Sequence, residues 1–306
     1  MKTDRKIILV TRHTRLYELK QKYGTLGQAK FYIESLGESF KQYEAEDMQF
    51  RQIQKEVLVF LKGTGRVQAL DRSFIPTYSF SRDDIVVVLG QDGLVANTLK
   101  YLDGQSVIAI NPSPQNFDGI LLPFTQKDLP LVMTDVLSDQ INYKTITLAQ
   151  ATTNVGDSIL AVNDLFIGPK SHTSARYQLT WNGKTERHSS SGVIISTGLG
   201  STGWFKSLIA GASGIAGKPV QEKVANGFAW DSAYLYYTVR EPFPSNSTQT
   251  DLIFGKVDKN KPLVLTSNMA ENGVIFSDGI EEDYLDFSAG ISASIEVSET
   301  QGLLVV

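Results

Sequence analysis

Two textures of hydrophobic spacing divide the chain. In the first part, short unbroken apolar runs alternate with longer amphipathic stretches. Residues 7–10 form one run, Ile85-Val86-Val87-Val88-Leu89 a second and Val107-Ile108-Ala109-Ile110 a third, each closed by turn residues. Such runs are the pattern of strands buried on both faces. Between them, residues 25–36 carry Ala29, Tyr32, Ile33 and Leu36 on one side, with Gly37 as a C-terminal stop. Residues 45–61 form a longer helical stretch with Ile53, Val57, Phe60 and Leu61 on one stripe. The strand at Ile85, a helix from Leu94 to Leu102 and the strand at Val107 follow in close succession as a βαβ unit, which requires parallel pairing.

After about Leu131 helical periodicity fades and strand signals take over. Arg176-Tyr177-Gln178-Leu179-Thr180-Trp181 alternates and runs into Asn182-Gly183, a strong hairpin signal. Residues 193–195, 233–239, 252–254, 263–265, 274–276 and 291–297 also read as strands, with one helix after Trp204. The pattern predicts an α/β N-terminal domain with a parallel sheet over residues 1–130 and a β-rich second domain over 131–286. The last strands, about 287–306, are candidates to return to the first domain.

Composition narrows the function classes. The 306 residues are 42% hydrophobic and 20% charged, which suits a globular chain with a substantial core. A net charge of −4 offers no excess of cations to displace counterions, so nucleic acid is not the expected partner. No apolar run is long enough to cross a membrane, and the one after the charged start ends at Val10; a cytoplasmic protein is expected. The absence of cysteine removes disulfides, thiolate metal sites and thiol nucleophiles. His13, His172 and His188 are scattered without a metal spacing, and no Gly-x-Ser-x-Gly elbow follows a strand.

Three segments carry candidate chemistry. The first is Gly90-Gln91-Asp92-Gly93, which places one carboxylate between glycines at a strand's carboxyl end, where open α/β sheets bind ligands. The following helix offers free N–H groups to a phosphate, and Asp92 reads either as a base beside it or as a helix cap. The second is Ser196-Thr197-Gly198-Leu199-Gly200-Ser201-Thr202-Gly203-Trp204. Its glycines match a dinucleotide fingerprint in spacing, but they lie in a β-rich region rather than a βαβ unit. Ser201 and Thr202 offer hydroxyls, and Trp204 a ring that covers a base or fills core. The third is Asn163-Asp164, two polar residues in an otherwise apolar strand, which need partners from the backbone or from a ligand.

In this order the three segments resemble the NAD kinase family. Gly90-Gln91-Asp92-Gly93 is similar to its Gly-Gly-Asp-Gly turn, Asn163-Asp164 to its Asn-Glu pair, and Gly200-Ser201-Thr202-Gly203-Trp204 to its Gly-Ser-Thr-Ala-Tyr turn. The likeness is greatest to the mitochondrial-type branch, through Thr11-Arg12-His13-Thr14-Arg15-Leu16-Tyr17-Glu18, Val162-Asn163-Asp164-Leu165-Phe166-Ile167-Gly168, Ser174-Ala175-Arg176-Tyr177 and Ser190-Ser191-Gly192. Ser277-Asp278-Gly279 resembles the family's late Asp-Gly hairpin.

The resemblance implies a two-domain fold with NAD bound between the domains. It implies transfer of phosphate from ATP, with Mg²⁺ carried by the nucleotide rather than by protein side chains, or from polyphosphate. The acceptor is the 2′-hydroxyl of the adenosine ribose, and the product NADP. Asp92 would act on that hydroxyl, Asn163 and Thr202 would contact the adenine side, Asp164 a ribose hydroxyl, and Trp204 would wall the pocket. Gly90, Gln91, Gly93, Gly200, Ser201, Gly203 and Ser207 complete the implied nucleotide-binding set. A homodimer or homotetramer is implied as well.

The chain departs from the pattern at Gln91, which replaces a glycine, at Leu94, which replaces a threonine, and at Asp164, one methylene shorter than Glu. A side chain at 91 narrows the phosphate cradle, demands a different backbone angle or donates its amide. A catalytically silent nucleotide-binding protein on the same fold is therefore an alternative, and a lipid or diacylglycerol-type kinase a third reading.

Overall fold

The computed structural model describes residues 2–116 and 118–306, with Glu281 and Glu282 described by their backbone alone. The chain divides into two compact units: residues 1–144 with 303–306, and residues 145–302.

The first unit contains β1 (Lys6–Thr11), β2 (Arg66–Asp71), β3 (Ile85–Leu89) and β4 (Ser106–Ile110), with helices α1 (Arg15–Tyr23), α2 (Leu26–Ser35), α3 (Phe40–Thr64), α4 (Asp92–Leu99) and α5 (Leu129–Leu137). The strands pair in the order β2-β1-β3-β4, all parallel, and Leu303-Leu304 add a further parallel partner opposite Ser106 and Val107. Every residue of β3 is buried, as its unbroken apolar run requires. One side of the sheet packs on Ile53, Val57 and Leu61 of α3 and on Leu129, Val132, Met133 and Val136 of α5. α3 is longer than its expected 45–61 because Phe40 anchors its first turn in a small cluster with Ala29 and Ile33 of α2. α5 has a buried stripe within nine residues, too short for a clear periodic signal, and keeps the unit's boundary beyond residue 131.

The second unit holds most of β5 (Tyr143–Thr153), β6 (Ser158–Ala161), β7 (Asp164–Pro169), β8 (Ala175–Trp181), β9 (Lys184–Ser190), β10 (Val193–Ser196), β11 (Leu235–Val239), β12 (Phe254–Val257), β13 (Leu263–Ser267), β14 (Gly273–Ser277), β15 (Ile280–Asp286) and most of β16 (Ser292–Val305), with α6 (Trp204–Ala216). One sheet joins β5 and β6 to β16, β13, β8 and β9. The other runs β12-β11-β10-β7-β14-β15, antiparallel throughout. Residues from both sheets, among them Leu165, Ile167, Tyr177, Val193, Tyr237, Leu265 and Ile275, form a single core cluster.

The fold class is thus the expected one, an α/β unit with a parallel sheet and a β-rich unit. Asn182 and Gly183 both take positive φ, 51° and 74°, and close the β8–β9 hairpin between Trp181 and Lys184. One expected strand is split. Residues 161–168 do not form one run: β6 ends at Ala161, Val162 and Asn163 make a corner, and β7 begins at Asp164. The corner carries the chain from one sheet to the other. The strand expected over residues 252–254 starts later, at Phe254.

Exposure along α3 sets a stability contrast. Leu61 is fully buried and Val59 is 65% exposed. Leu61→Ala is expected to cost about 2–5 kcal/mol in chemical denaturation, and Val59→Ala less than about 0.5 kcal/mol.

Candidate functional site

Each unit places one group of the expected site residues. In the first, the chain leaves buried β3 at Leu89, and the Gly90 N–H donates to the Ile110 carbonyl at 3.3 Å. A Cβ at Gly90 would press on the Leu94 side chain. Gln91 is the N-cap of α4, with extended backbone at φ −120° and ψ 166°, and its side chain makes no capping bond. Any residue adopts that geometry, so glutamine at this position brings no backbone strain. The Gln91 carbonyl accepts from Leu94 and Val95. The N–H groups of Asp92 and Gly93, the first two of the helix, have no acceptor inside it. They lie at the carboxyl edge of the parallel sheet, where the helix field favours an anion. Gly93 is exposed, and a Cβ built on it would meet nothing. The glycine therefore leaves room in front of the helix rather than relieving a protein contact.

Asp92 is not the cap of α4 but its first residue. Its Oδ1 accepts the Leu121 N–H at 2.7 Å. That bond ties down the loop after β4, which is also folded by the Asn111 side chain accepting from Ser113 at 2.9 Å and by the Asn111 N–H donating to Phe124. A carboxylate fixed through one oxygen holds the other in a defined direction, as a group that orients a hydroxyl must.

In the second unit Asn163, Asp164 and the Gly198–Trp204 turn come together. The Thr197 N–H donates to the Asn163 carbonyl at 2.9 Å, and the Thr197 hydroxyl to the Val162 carbonyl at 2.6 Å. Gly200 lies against the Asn163 backbone, and Gly198 against that of Ala229; a Cβ at either would overlap a carbonyl. Two of the three fingerprint glycines are thus explained by backbone packing. Gly203 meets no such obstacle. The buried Ser201 hydroxyl donates to Gly198 O at 2.6 Å and accepts from the Phe228 N–H at 3.0 Å, so the fold uses it on both sides. Thr202 is exposed. Ser207 is exposed as well, and its hydroxyl turns back to the Trp204 carbonyl at 2.7 Å. The Trp204 ring lies parallel to Phe166, 5.9 Å between centroids.

Asp278 organises the corner, and sequence reasoning had noted only its turn. Asp278 and Gly279 have φ of 55° and 71° and close the β14–β15 hairpin. The Asp278 carboxylate reaches back across 115 residues to accept from Asn163 N at 2.6 Å, and also from Val162 N at 3.1 Å and Asp164 N at 3.3 Å. Asp164 stands beside it, with its Oδ1 sealed from solvent and without a hydrogen-bond partner. Burial pushes the Asp164 carboxyl up to about 7; the Ser196 hydroxyl pulls the other way, and the Asp278 charge adds to the rise.

Two solved structures share this fold. An NAD kinase from Archaeoglobus fulgidus in complex with ATP superposes with a TM-score of 0.57 over 98% of this chain and 93% of its own, at 15% identity. Yeast NADH kinase complexed with NADH superposes with a TM-score of 0.59 over 99% of this chain and 84% of its own, at 14% identity. No protein-family model and no curated protein matches the sequence. The chain therefore has the two-domain architecture of the NAD kinases.

Two expectations follow. Gly200→Ala, which forces a Cβ into the Asn163 carbonyl, should cost about 3 kcal/mol or more in chemical denaturation, whereas Gly203→Ala should stay within about 1 kcal/mol. For Asp164, a folded-state pKa above the ordinary 3.8 means that stability is full below about pH 4 and falls as pH rises to about 7. Asp164→Asn, which mimics the neutral acid, should match wild type near pH 4 and exceed it by a few kcal/mol, on the order of the linkage expected for such a shift, above pH 7. Denaturation midpoints measured across that range check this; a pH-independent difference would contradict it.

Proposed function

We propose that the chain is an NAD kinase-like phosphotransferase that moves a phosphate from ATP or polyphosphate to the 2′-hydroxyl of the adenosine ribose of NAD, giving NADP. The observation that carries this reading is the position of Asp92. It stands at the carboxyl edge of a parallel sheet, on the first turn of a helix whose leading N–H groups are free, on a fold shared end to end with NAD kinases. Phosphoryl transfer passes through a loose transition state, so positioning and charge neutralisation supply most of the catalysis. The Asp92 and Gly93 N–H groups suit non-bridging phosphate oxygens, and the open space before Gly93 admits them. Asp92 would receive and orient the attacking hydroxyl.

In the second unit, Asn163, Thr202 and Trp204 would recognise the adenine side and Asp164 a ribose hydroxyl, with the Gly200-Ser201-Thr202-Gly203 backbone shaping the turn and Ser207 behind it. A carboxyl that burial holds up at about 7 can donate as well as accept, as contact with a ribose hydroxyl would use. Among the described residues no group of three or more His, Asp or Glu side chains is placed to hold a metal. When bound with the donor nucleotide, Mg²⁺ would supply charge neutralisation at its phosphates. The same reading extends to a cytoplasmic homodimer or homotetramer. Among the described residues no helix is long and apolar enough to cross a membrane.

The Asp92–Leu121 bond favours a second reading, a nucleotide-binding protein without turnover, because it gives Asp92 a purely structural task. Asp92→Asn separates the two. Its amide oxygen keeps the Leu121 bond and the fold, but it accepts a hydroxyl proton far less well. Turnover to NADP should fall at least about 100-fold, the scale of lost general-base catalysis, while NAD binding measured by calorimetry stays within about threefold. Wild type that binds NAD and makes no NADP would establish the silent alternative.

A further inference from the structure

The β8–β9 hairpin carries a polar chain into the core of the second unit. Glu186, His188 and Ser190 share one side of β9, and Tyr177 of β8 stands opposite His188. His188 is 3% exposed and Tyr177 is fully buried. Buried polar groups need partners, and these find one another. His188 Nε2 lies 3.0 Å from Glu186 Oε2. The same oxygen accepts the N–H groups of Asp251 at 3.2 Å and Leu252 at 3.0 Å, ahead of β12. The Tyr177 hydroxyl is 3.5 Å from His188 Nδ1 and 2.9 Å from Ser190 Oγ. Ser190 Oγ accepts the Gly192 N–H at 3.0 Å.

Counting protons gives the chain a direction. Burial works against ionising Glu186, but the bonds from Leu252, His188 and Asp251 outweigh it and hold the carboxyl below its ordinary range. Glu186 therefore only accepts, and the proton between it and the imidazole belongs to His188 Nε2. Nδ1 is left to accept from Tyr177. Burial pushes the Tyr177 hydroxyl up, so it keeps its proton. With Tyr177 donating to His188 and Ser190 donating to Tyr177, every proton in the chain has an acceptor. The opposite order makes Ser190 Oγ accept twice and leaves its own proton without an acceptor in the chain. Bonds aligned in one direction strengthen one another.

The far end of the chain lies beneath Trp204. Gly192 has a φ of 106°, and a Cβ on it would strike the Phe166 ring. The same turn grips Arg240: the Ser191 N–H donates to the Arg240 carbonyl at 2.9 Å, and the Arg240 N–H to the Gly192 carbonyl at 2.8 Å. Phe166 lies parallel to the Trp204 ring, and the Arg240 guanidinium is 5.4 Å from its centroid. Both supports of Trp204 thus rest on the Ser191-Gly192 turn. We propose that His188, Tyr177 and Ser190 are positioning residues for Trp204, acting as a one-way hydrogen-bonded chain from Glu186 to the Gly192 N–H. None of them touches substrate. The functional consequence rests on the reading of Trp204 as a wall of the nucleotide site.

The test reads Trp204 itself by NMR, with ¹⁵N in tryptophan and histidine. The full-length proteins are wild type, Tyr177→Phe, Ser190→Ala, their double variant and Thr180→Ala. The last is a control that removes an exposed hydroxyl pair from the same hairpin. Trp204→Phe assigns the Trp204 indole signal. In mildly alkaline buffer, wild type should show one slowly exchanging histidine ring proton, on Nε2; His13 and His172 are exposed. Tyr177→Phe and Ser190→Ala should each move or broaden the Trp204 signal, and Thr180→Ala should leave it in place. In parallel, KM for NAD should rise about two- to tenfold in each single variant, the range of one hydrogen bond, with kcat within about twofold. The double variant should be no worse than the worse single variant, because both break one chain. An unmoved Trp204 signal in both single variants, a slow ring proton on Nδ1, or effects that add in the double variant would overturn the proposal. Wild type that makes no NADP speaks against the kinase alone, because the indole signal needs neither nucleotide nor turnover and still decides for or against the chain.

Discussion

The second unit turns on one carboxylate. Asp278 satisfies the backbone N–H groups of Val162, Asn163 and Asp164 where the chain passes from one sheet to the other. A corner of this kind leaves ladder donors without partners, and leaving such groups buried and unpaired costs about 1–3 kcal/mol each. The clamp has consequences on both sides. It fixes the Asn163 carbonyl, against which Gly200 and Thr197 pack, and so it sets the position of the whole Gly198–Trp204 turn. It also places a negative charge beside Asp164, which is already buried, and so contributes to holding that carboxyl near neutrality. A residue that looks like the tip of a hairpin is therefore a positioning residue for the candidate nucleotide-recognition elements.

The first unit solves a different problem. Its central strands β1, β3 and β4 are buried on both faces, so the candidate functional groups stand at the strand ends. β3 delivers Asp92 onto the first turn of α4, and the loop after β4 is tied to that carboxylate through Leu121. The departure at Gln91 is accommodated without strain because the backbone there is extended. The N–H groups of Asp92 and Gly93, at the start of α4, keep their positions with glutamine at 91. Chemistry that depends on positioning and charge more than on covalent steps can be run with this small set of groups.

Much of this was legible in the sequence, and what was not has physical reasons. The run Ile85–Leu89 and the pair Asn182-Gly183 announced a buried strand and a tight hairpin because the signals are local. The two-unit architecture followed from the change of periodicity near the middle of the chain. α5 escaped because nine residues show too little period, and the 161–168 corner because an apolar run does not reveal where it changes sheet. Site residues divide in the same way. Asp92 and Asn163-Asp164 stood out as polar groups in apolar or glycine-rich settings. Ser201 looked available and is consumed by Gly198 and Phe228, a contact 27 residues away that no local pattern encodes. The reach of Asp278 to Asn163, across 115 residues, is hidden for the same reason.

The central question is whether this fold, with a glutamine in its glycine turn, transfers phosphate to a ribose. The most direct measurement is to incubate the purified chain with NAD and Mg²⁺, supplying ATP in one arm and polyphosphate in another, and to quantify dinucleotide phosphorylated at the 2′ position. NADP should form with at least one donor. No NADP with either donor, under conditions in which an active NAD kinase makes it, would contradict the phosphotransferase reading.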